Sequence, residues 1–423
     1  MNVNDSENLA GLLEYAGFSQ LQELNTSDPS SAPKDLVLVL VNTCCVRASA
    51  ENKAFGFLSS LAPIKKLNKR LLIGFCGCIA NQQHRNLKKE FPFIDIVFGP
   101  GEWGKLAEYL KIKEAAIKPK RGRGPTAWIT IMEGCDNFCS YCIVPYVRGR
   151  ERSRPVKDIL DEIRKLDKSI YKEVVLLGQN VNSYKIEELE EREELDVKEE
   201  REKNIGLAKL LESVHKIDGI ERIKFLTSHP RDMSDDIINA VRDLPKVCEY
   251  FHLPLQSGDD EILKEMNRGY TSDNYRKLAG RIRSKIPDAT ITSDAIAGFP
   301  GETDKQFKNT CNLIKELELD LVNTLAYSPR PGTKAEKMGG QVTAQVKRER
   351  LQKLMKVVEA TALKKNKQLI GSSVEVMVDK AGIGRTRGNK TVKLSTGSHK
   401  PGDIIYVRIK KAGSWVLEGD ISN

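Results

Sequence analysis

No apolar run in this sequence approaches the length of a bilayer. The longest, such as Asp35 to Val46 (DLVLVLVNTCCV), fall short of the roughly 20 residues that a spanning helix needs and have the character of buried strands. The start, MNVNDSENLAG, is polar and acidic, which excludes a signal peptide. Aromatic residues make up only 6% of the chain, and no internal repeat is visible at solenoid periods. With membrane and export set aside, a cytoplasmic enzyme is the expectation. What is present is a 40% hydrophobic share, enough for a substantial core, which excludes wholesale disorder. At 423 residues the chain predicts two or three domains. Lys+Arg is 68 against Asp+Glu 58, a net charge of +10, which suits a polyanionic partner and equally suits a basic but ordinary enzyme.

The cysteine count is odd: Cys44, Cys45, Cys76, Cys78, Cys135, Cys139, Cys142, Cys248 and Cys311. In a long chain with no export mark, a disulfide framework does not follow, and clustered cysteines read first as metal ligands or catalytic thiols. Cys248 and Cys311 stand alone in apolar surroundings and read as core residues.

Along the chain, residues 1–118 alternate helix-like and strand-like segments, among them LVLVLVNT and RLLIGFCGC, and predict an open α/β domain. KPKRGRGP, residues 118–125, reads as a linker whose basic residues also suit a phosphate backbone. From Trp128 to Pro329 six strand candidates alternate with helical segments: AWITIMEG, EVVLLGQNV, IERIKFLTS, EYFHLPLQS, ATITSDAIAGF and LVNTLAYS. Six βα units predict a partial TIM-type (β/α)6 barrel, with its chemistry at the C-terminal strand ends. The charged stretch from Lys185 to Asn204 reads as a solvated insertion or frayed helix without chemistry. A basic amphipathic helix over residues 340–367 then leads to short strands that predict a small antiparallel β-barrel. The expected domains are 1–118, 126–366 and 367–423.

The sharpest motif is Gly134-Cys135-Asp136-Asn137-Phe138-Cys139-Ser140-Tyr141-Cys142, directly after a strand, with spacing C-x3-C-x2-C. Three thiolates on one short loop suit three irons of a 4Fe-4S cube and leave the fourth iron open to a substrate or cofactor. A structural zinc site would want a fourth Cys or His nearby, and the next His along the chain is His215.

This spacing at the first strand of a βα series resembles the radical S-adenosylmethionine superfamily. That resemblance implies that the open iron binds the methionine end of the cofactor and that Tyr141 lies beside its adenine. It also implies that Gly178-Gln179-Asn180, at the end of the second strand, meets the methionine amino group. The motifs GCDNFCSYCIVPYVRGRERSRP, LLGQNVNSY, TSHPRD, FHLPLQSG, MNRGYT, AGFPGET and YSPRPGT run in the order of the methylthiotransferases and are similar to the MiaB branch. Those enzymes add a methylthio group to carbon 2 of N6-isopentenylated adenosine beside the tRNA anticodon. The likeness extends over the whole chain to a TRAM-like barrel carrying Gly384-Arg385-Thr386-Arg387-Gly388-Asn389. On that barrel Arg385, Arg387 and Lys390, with Lys393, Arg408, Lys410 and Lys411, are expected to present a basic surface to RNA phosphates.

In the N-terminal domain the resemblance implies a second, auxiliary 4Fe-4S cluster, with Cys44 and Cys78 as two of its three ligands. In the family the remaining ligand precedes a segment like MNVNDSE, which here opens the sequence, so the expectation is an upstream ligand in a longer native chain. As the sequence stands, weak assembly of that cluster is expected. Cys45 and Cys76 read as incidental; Cys76, two residues before Cys78, is the only plausible substitute thiol, because Cys45 diverges from Cys44 on an extended backbone. The implied cofactors are S-adenosylmethionine and the two clusters. The implied partners are tRNA and a flavodoxin or ferredoxin-type electron donor, and the chain is expected to be a monomer. Two alternatives stay open: a methylthiotransferase acting on another tRNA adenosine modification or a ribosomal protein, and an RNA-binding protein with a structural cluster only.

Overall fold

The computed structural model describes residues 2–45, 48–82, 86–112, 118–122, 124–189, 202–395 and 399–422. The chain divides into two compact units. The first comprises Met1–Gly122, Gly134–Glu151 and Ser328–Glu336; the second comprises Arg123–Glu133, Arg152–Tyr327 and Lys337–Asn423.

The first unit has the order α1 (Asn2–Tyr15), β1 (Leu38–Thr43), α2 (Ala48–Leu67), β2 (Leu72–Gly77), α3 (Leu87–Glu90), β3 (Ile96–Phe98), α4 (Trp103–Tyr109) and α5 (Val144–Arg148). Its three strands form a parallel sheet in the order β1-β2-β3, in register from Leu38 opposite Leu72 to Thr43 opposite Gly77. Period-2 alternation divides the side chains of β2 between two cores. Ile73 and Phe75 join Leu58 and Leu61 on one face, while Cys76 joins Leu9, Leu12 and Phe98 on the other. Residues 118–122 do not run free as the linker reading expected. The Lys120 N–H bonds the Glu7 carbonyl at 2.9 Å and the Gly122 N–H bonds the Glu7 carboxylate at 3.0 Å, fixing the segment on α1.

The second unit holds the six expected parallel strands: β4 (Thr126–Thr130), β7 (Glu173–Leu177), β10 (Arg222–Phe225), β11 (Tyr250–His252), β12 (Thr290–Ala297) and β13 (Leu321–Ala326). They form two three-stranded sheets, β4-β7-β10 and β11-β12-β13, joined by a parallel bridge between Ile223 and Val247. Between the strands run α6 (Val156–Arg164), α7 (Leu207–His215), α8 (Asp235–Asp243), α9 (Asp260–Glu265), α10 (Ser272–Lys285) and α11 (Asp304–Glu316). Their apolar faces and the strands make one large core that includes Ile129, Leu176, Ile223, Phe251, Ile291 and Val322. Two short strands, β5 (Met132–Glu133) and β6 (Arg152–Ser153), pair antiparallel. The charged insertion begins and ends as strands, not as a frayed helix: β8 (Lys185–Leu189) pairs antiparallel with β9 (Glu202–Gly206), and the stretch between lies outside the described residues.

The long helix α12 (Ala344–Lys367) leads to β14 (Ser373–Lys380), β15 (Ile383–Thr386), β16 (Thr391–Leu394), β17 (Ile404–Ala412) and β18 (Val416–Ile421). These close into a barrel in the order β14-β15-β16-β18-β17. It is not wholly antiparallel as expected, because β16 and β18 pair parallel. The barrel is held to the N-terminal ends of the parallel strands by ion pairs. The Arg222 side chain, fully buried at the start of β10, bonds Glu375 at 2.7 Å and the Arg385 carbonyl at 2.9 Å. That end of a βα barrel is where stability is built, opposite the end that carries chemistry.

Candidate active site

In the first unit the loop from Gly134 to Cys142 carries the C-x3-C-x2-C motif. Gly134 has φ +77°, and a Cβ there would meet the Arg150 carbonyl oxygen at 2.0 Å, so only glycine lets the chain enter the loop this way. Cys135 and Cys139 are buried and Cys142 is half-buried. The Asn137 amide donates to Cys135 Sγ at 3.4 Å, and burial pushes the Cys135 thiol upward. The Cys142 N–H bonds the Cys139 carbonyl, and the Ser140 carbonyl accepts from the Ala335 N–H, both within the unit. Tyr141 is half-buried. Three buried or half-buried thiols on one loop fit a 4Fe-4S cube. Among the described residues no three Cys, His, Asp or Glu side chains converge on one ion position, and a cube does not ask for that, since each thiolate takes a different iron.

Helix α5 follows this loop directly and enters the N-terminal core. Its Val147, with Ile143 just before it, packs in the cluster that contains Cys45, Cys78, Leu58 and Phe75. The Asn81 amide bonds the Val147 carbonyl at 2.9 Å. Arg148 Nε donates to Cys78 Sγ at 3.3 Å and Nη2 bonds Asp5 at 2.7 Å. Both cysteine sets therefore belong to one unit.

The second set differs from the sequence reading in one respect. Cys76 is walled off on the opposite face of the sheet, where burial pushes its thiol up to about 12. Gly77, at φ +90°, ends β2 and breaks the alternation, so Cys78 turns to the face of Ile73 and Phe75. On β1 the alternation Val41, Thr43, Cys45 continues past the strand end, and Cys45 reaches that same face. There it lies beside Cys78, and the interaction of the two thiols holds that of Cys78 low and raises that of Cys45. Cys44 is half-buried. The thiol beside Cys78 is thus Cys45, and Cys76 is not available as a substitute ligand.

In the second unit the C-terminal strand ends gather buried oxygens and nitrogens that have no partner among the described residues. After β7 these are Gln179 Oε1 and Asn180 Oδ1, with Asn180 Nδ2 fixed on Asp232 at 2.8 Å. After β10 they are Ser228 Oγ and His229 Nε2, and near the end of β11 Gln256 Oε1. His229 is clasped by Asn182, which donates to its carbonyl and accepts from its N–H. Its Nδ1 accepts from the Arg231 N–H at 3.2 Å, so the neutral ring carries its proton on Nε2. Burial, with Arg268 nearby, lowers its pKa to about 3, which keeps the ring neutral. Buried polar groups without partners mark a place built for a ligand. The sequence reading named Gly178, Gln179 and Asn180 here and missed Ser228, His229 and Gln256, although TSHPRD and FHLPLQSG carry all three.

The basic residues assigned to RNA turn inward within the second unit. Arg385 pairs with Asp379 within the barrel at 2.6 Å and reaches Thr126 Oγ1 of β4 at 3.2 Å, Arg387 pairs with Glu249 at 2.7 Å and Lys390 with Asp320 at 2.8 Å. They fasten the barrel to the parallel strands, and this corrects the expectation that they face phosphates. Lys393, Arg408, Lys410 and Lys411 are exposed.

Known proteins match all three regions. Residues 129–314 match the radical SAM superfamily, residues 1–99 the uncharacterized protein family UPF0004, and residues 367–422 the TRAM domain. The radical S-adenosylmethionine methyltransferase TsrM from Kitasatospora setae, solved with cobalamin and a [4Fe-4S] cluster bound, aligns with a TM-score of 0.53. That alignment covers 89% of this chain and 71% of TsrM at 13% identity, a likeness of fold. Fold and site together define a radical S-adenosylmethionine protein. The tRNA-2-methylthio-N(6)-dimethylallyladenosine synthase of Acetivibrio thermocellus is 42% identical, over 100% of this chain and 88% of that protein. Its counterpart in Pelotomaculum thermopropionicum is also 42% identical, over 100% and 95%. The chain belongs to this MiaB-type family of tRNA methylthiotransferases. No described helix is long and apolar enough to cross a membrane.

Proposed function

We propose that this chain adds a methylthio group to carbon 2 of N6-isopentenyladenosine beside the anticodon of tRNA. The observation that carries the reading is the loop of Cys135, Cys139 and Cys142 in a chain alignable end to end with synthases of that name. When bound, the cluster on these thiols and S-adenosylmethionine supply a 5′-deoxyadenosyl radical on reduction, and the auxiliary cluster supplies the sulfur to be transferred.

The chain's own residues prepare both ends of that chemistry. Cys135, Cys139 and Cys142 hold three irons, and the Asn137 amide steadies Cys135. The same reading gives Tyr141 the adenine of the cofactor, and Gly178, Gln179 and Asn180 its methionine end; the open oxygens of Gln179 and Asn180 are the acceptors an ammonium group needs. Neutral His229 offers an N–H from Nε2 at the same strand ends without bringing a charge. Cys44 and Cys78 supply two of the three thiolates that the auxiliary cluster asks for. A radical step at a C–H bond asks for no paired carboxylates or Ser-His-Asp set. An electron donor of the flavodoxin or ferredoxin type, a cytoplasmic setting and a monomeric chain complete the reading.

Mass spectrometry of tRNA nucleosides from cells lacking the gene tests it. The methylthio form of isopentenyladenosine should disappear, with the unthiolated form in its place. An unchanged nucleoside profile would overturn the reading.

A further inference from the structure

Two buried guanidinium groups in the first unit have no part in the chemistry described so far. The Arg148 side chain is 4% exposed; Nε donates to Cys78 Sγ, Nη2 bonds Asp5, and Nη1 is buried without a partner among the described residues. Arg330 is 4% exposed as a residue; Nη1 bonds Glu51 at 3.2 Å, and both Nε and Nη2 are buried without partners among the described residues. Glu51 stands in the first turn of α2, the helix that follows Cys44 and Cys45 in the chain.

A buried donor left unmade costs about 1–3 kcal/mol. Three such nitrogens on two cations, both already matched to carboxylates, call for a further anionic acceptor. A 4Fe-4S cluster with thiolate ligands is such an anion, and its sulfurs accept hydrogen bonds that tune its potential. We infer that Arg148 and Arg330 form a buried guanidinium clamp on the auxiliary cluster, with Arg148 the positioning residue that orients Cys78 and raises the cluster's reduction potential. This rests on the reading that Cys44 and Cys78 hold that cluster. Because α5 carries Arg148 away from the loop of Cys135, Cys139 and Cys142, the clamp ties the two cysteine sets together along one short helix.

The test uses the full chain with Cys139→Ala, reconstituted with iron and sulfide so that only the auxiliary cluster is read, and titrated reductively under electron paramagnetic resonance. Adding Arg148→Met or Arg330→Met should leave iron bound but shift the midpoint to a more negative value, since removing a cation and its N–H···S bonds disfavours the reduced cluster. Arg148→Lys should fall between, because an ammonium keeps the charge but not the fixed fork; it also decides the matter if the methionine variant does not fold. Midpoints equal to the parent's, or a Cys139→Ala parent that binds no iron, would overturn the clamp. The functional reading fails separately, by an unchanged nucleoside profile in cells, which leaves the midpoint shift intact.

Discussion

Cys45 and Cys78 meet in the same buried core, although one follows β1 and the other follows β2. Parallel pairing of Thr43 with Gly77 brings the two strand ends level, and the turn at Gly77 does the rest. The pair sits against Arg148 on one helix and under the influence of Arg330 on another segment. Cys76, one residue before that turn, is on the wrong face of the sheet.

This arrangement predicts opposite outcomes for two similar substitutions. In the Cys139→Ala chain, adding Cys76→Ala should leave the remaining iron unchanged. Adding Cys45→Ala should lower it, because Cys45 is the thiol placed beside Cys78. Iron and acid-labile sulfide assays after reconstitution read both. Equal iron in the Cys45→Ala and Cys76→Ala chains would show that the neighbour of Cys78 plays no part.

The loop of Cys135, Cys139 and Cys142 allows no substitute. Replacing any one of them by Ala leaves two thiolates, too few to hold the cube with one open iron. Reductive cleavage of S-adenosylmethionine should fall to the level seen without protein, as read by chromatography of 5′-deoxyadenosine. Undiminished cleavage in the Cys139→Ala chain would remove the radical assignment.

What the sequence could and could not tell follows a physical division. The parallel strands were legible where they are buried on both faces and read as an apolar run, as EVVLL does in β7. The C-x3-C-x2-C loop was legible because its ligands lie within nine residues of one another in the chain. The hairpin of β8 and β9 was hidden, since half of its strand residues are charged and the stretch that joins them is almost wholly so. Cys45 was hidden because a single positive φ at Gly77 decides which neighbour Cys78 finds, and no composition records that turn. The direction of Arg385, Arg387 and Lys390 was hidden too: their carboxylate partners lie as far away in sequence as Glu249 and Asp320.

His229 predicts a pH dependence of stability. Its folded pKa of about 3 lies below the usual value near 6.5, so the unfolded chain binds a proton that the folded chain refuses. The stabilising difference is full above about 6.5 and is lost as pH falls through that value toward about 3. Chemical denaturation at pH 7 and pH 4.5 should therefore show a smaller loss of stability on acidification in His229→Gln than in the parent. An identical loss in the two proteins would mean that the ring does not stay neutral.

The two sets of basic residues around the barrel do different work. Arg387 is bound to Glu249 and to the Pro245 and Val247 carbonyls, with its side chain 21% exposed. Removing it leaves a partly buried carboxylate without its cation, a change worth about 2–4 kcal/mol after allowing for residual solvent. Arg387→Ala should thus lower the melting temperature while leaving the salt slope of tRNA binding where it was. Arg408, Lys410 and Lys411 are exposed along β17, and the last two reach their nearest carboxylates only at 3.8 and 3.9 Å, so their charge remains open to phosphates. Replacing all three by Ala should weaken tRNA binding and reduce the slope of log K against log salt, by about one for each phosphate no longer neutralised, with little change in melting temperature. Deleting the whole barrel cannot make this distinction, because it would strip Arg222 of Glu375 and leave a fully buried guanidinium unpaired. Binding titrations at several salt concentrations, paired with thermal melts, read both sets. A flattened slope in Arg387→Ala with an unchanged slope in the triple variant would place the RNA surface on the docked face of the barrel after all.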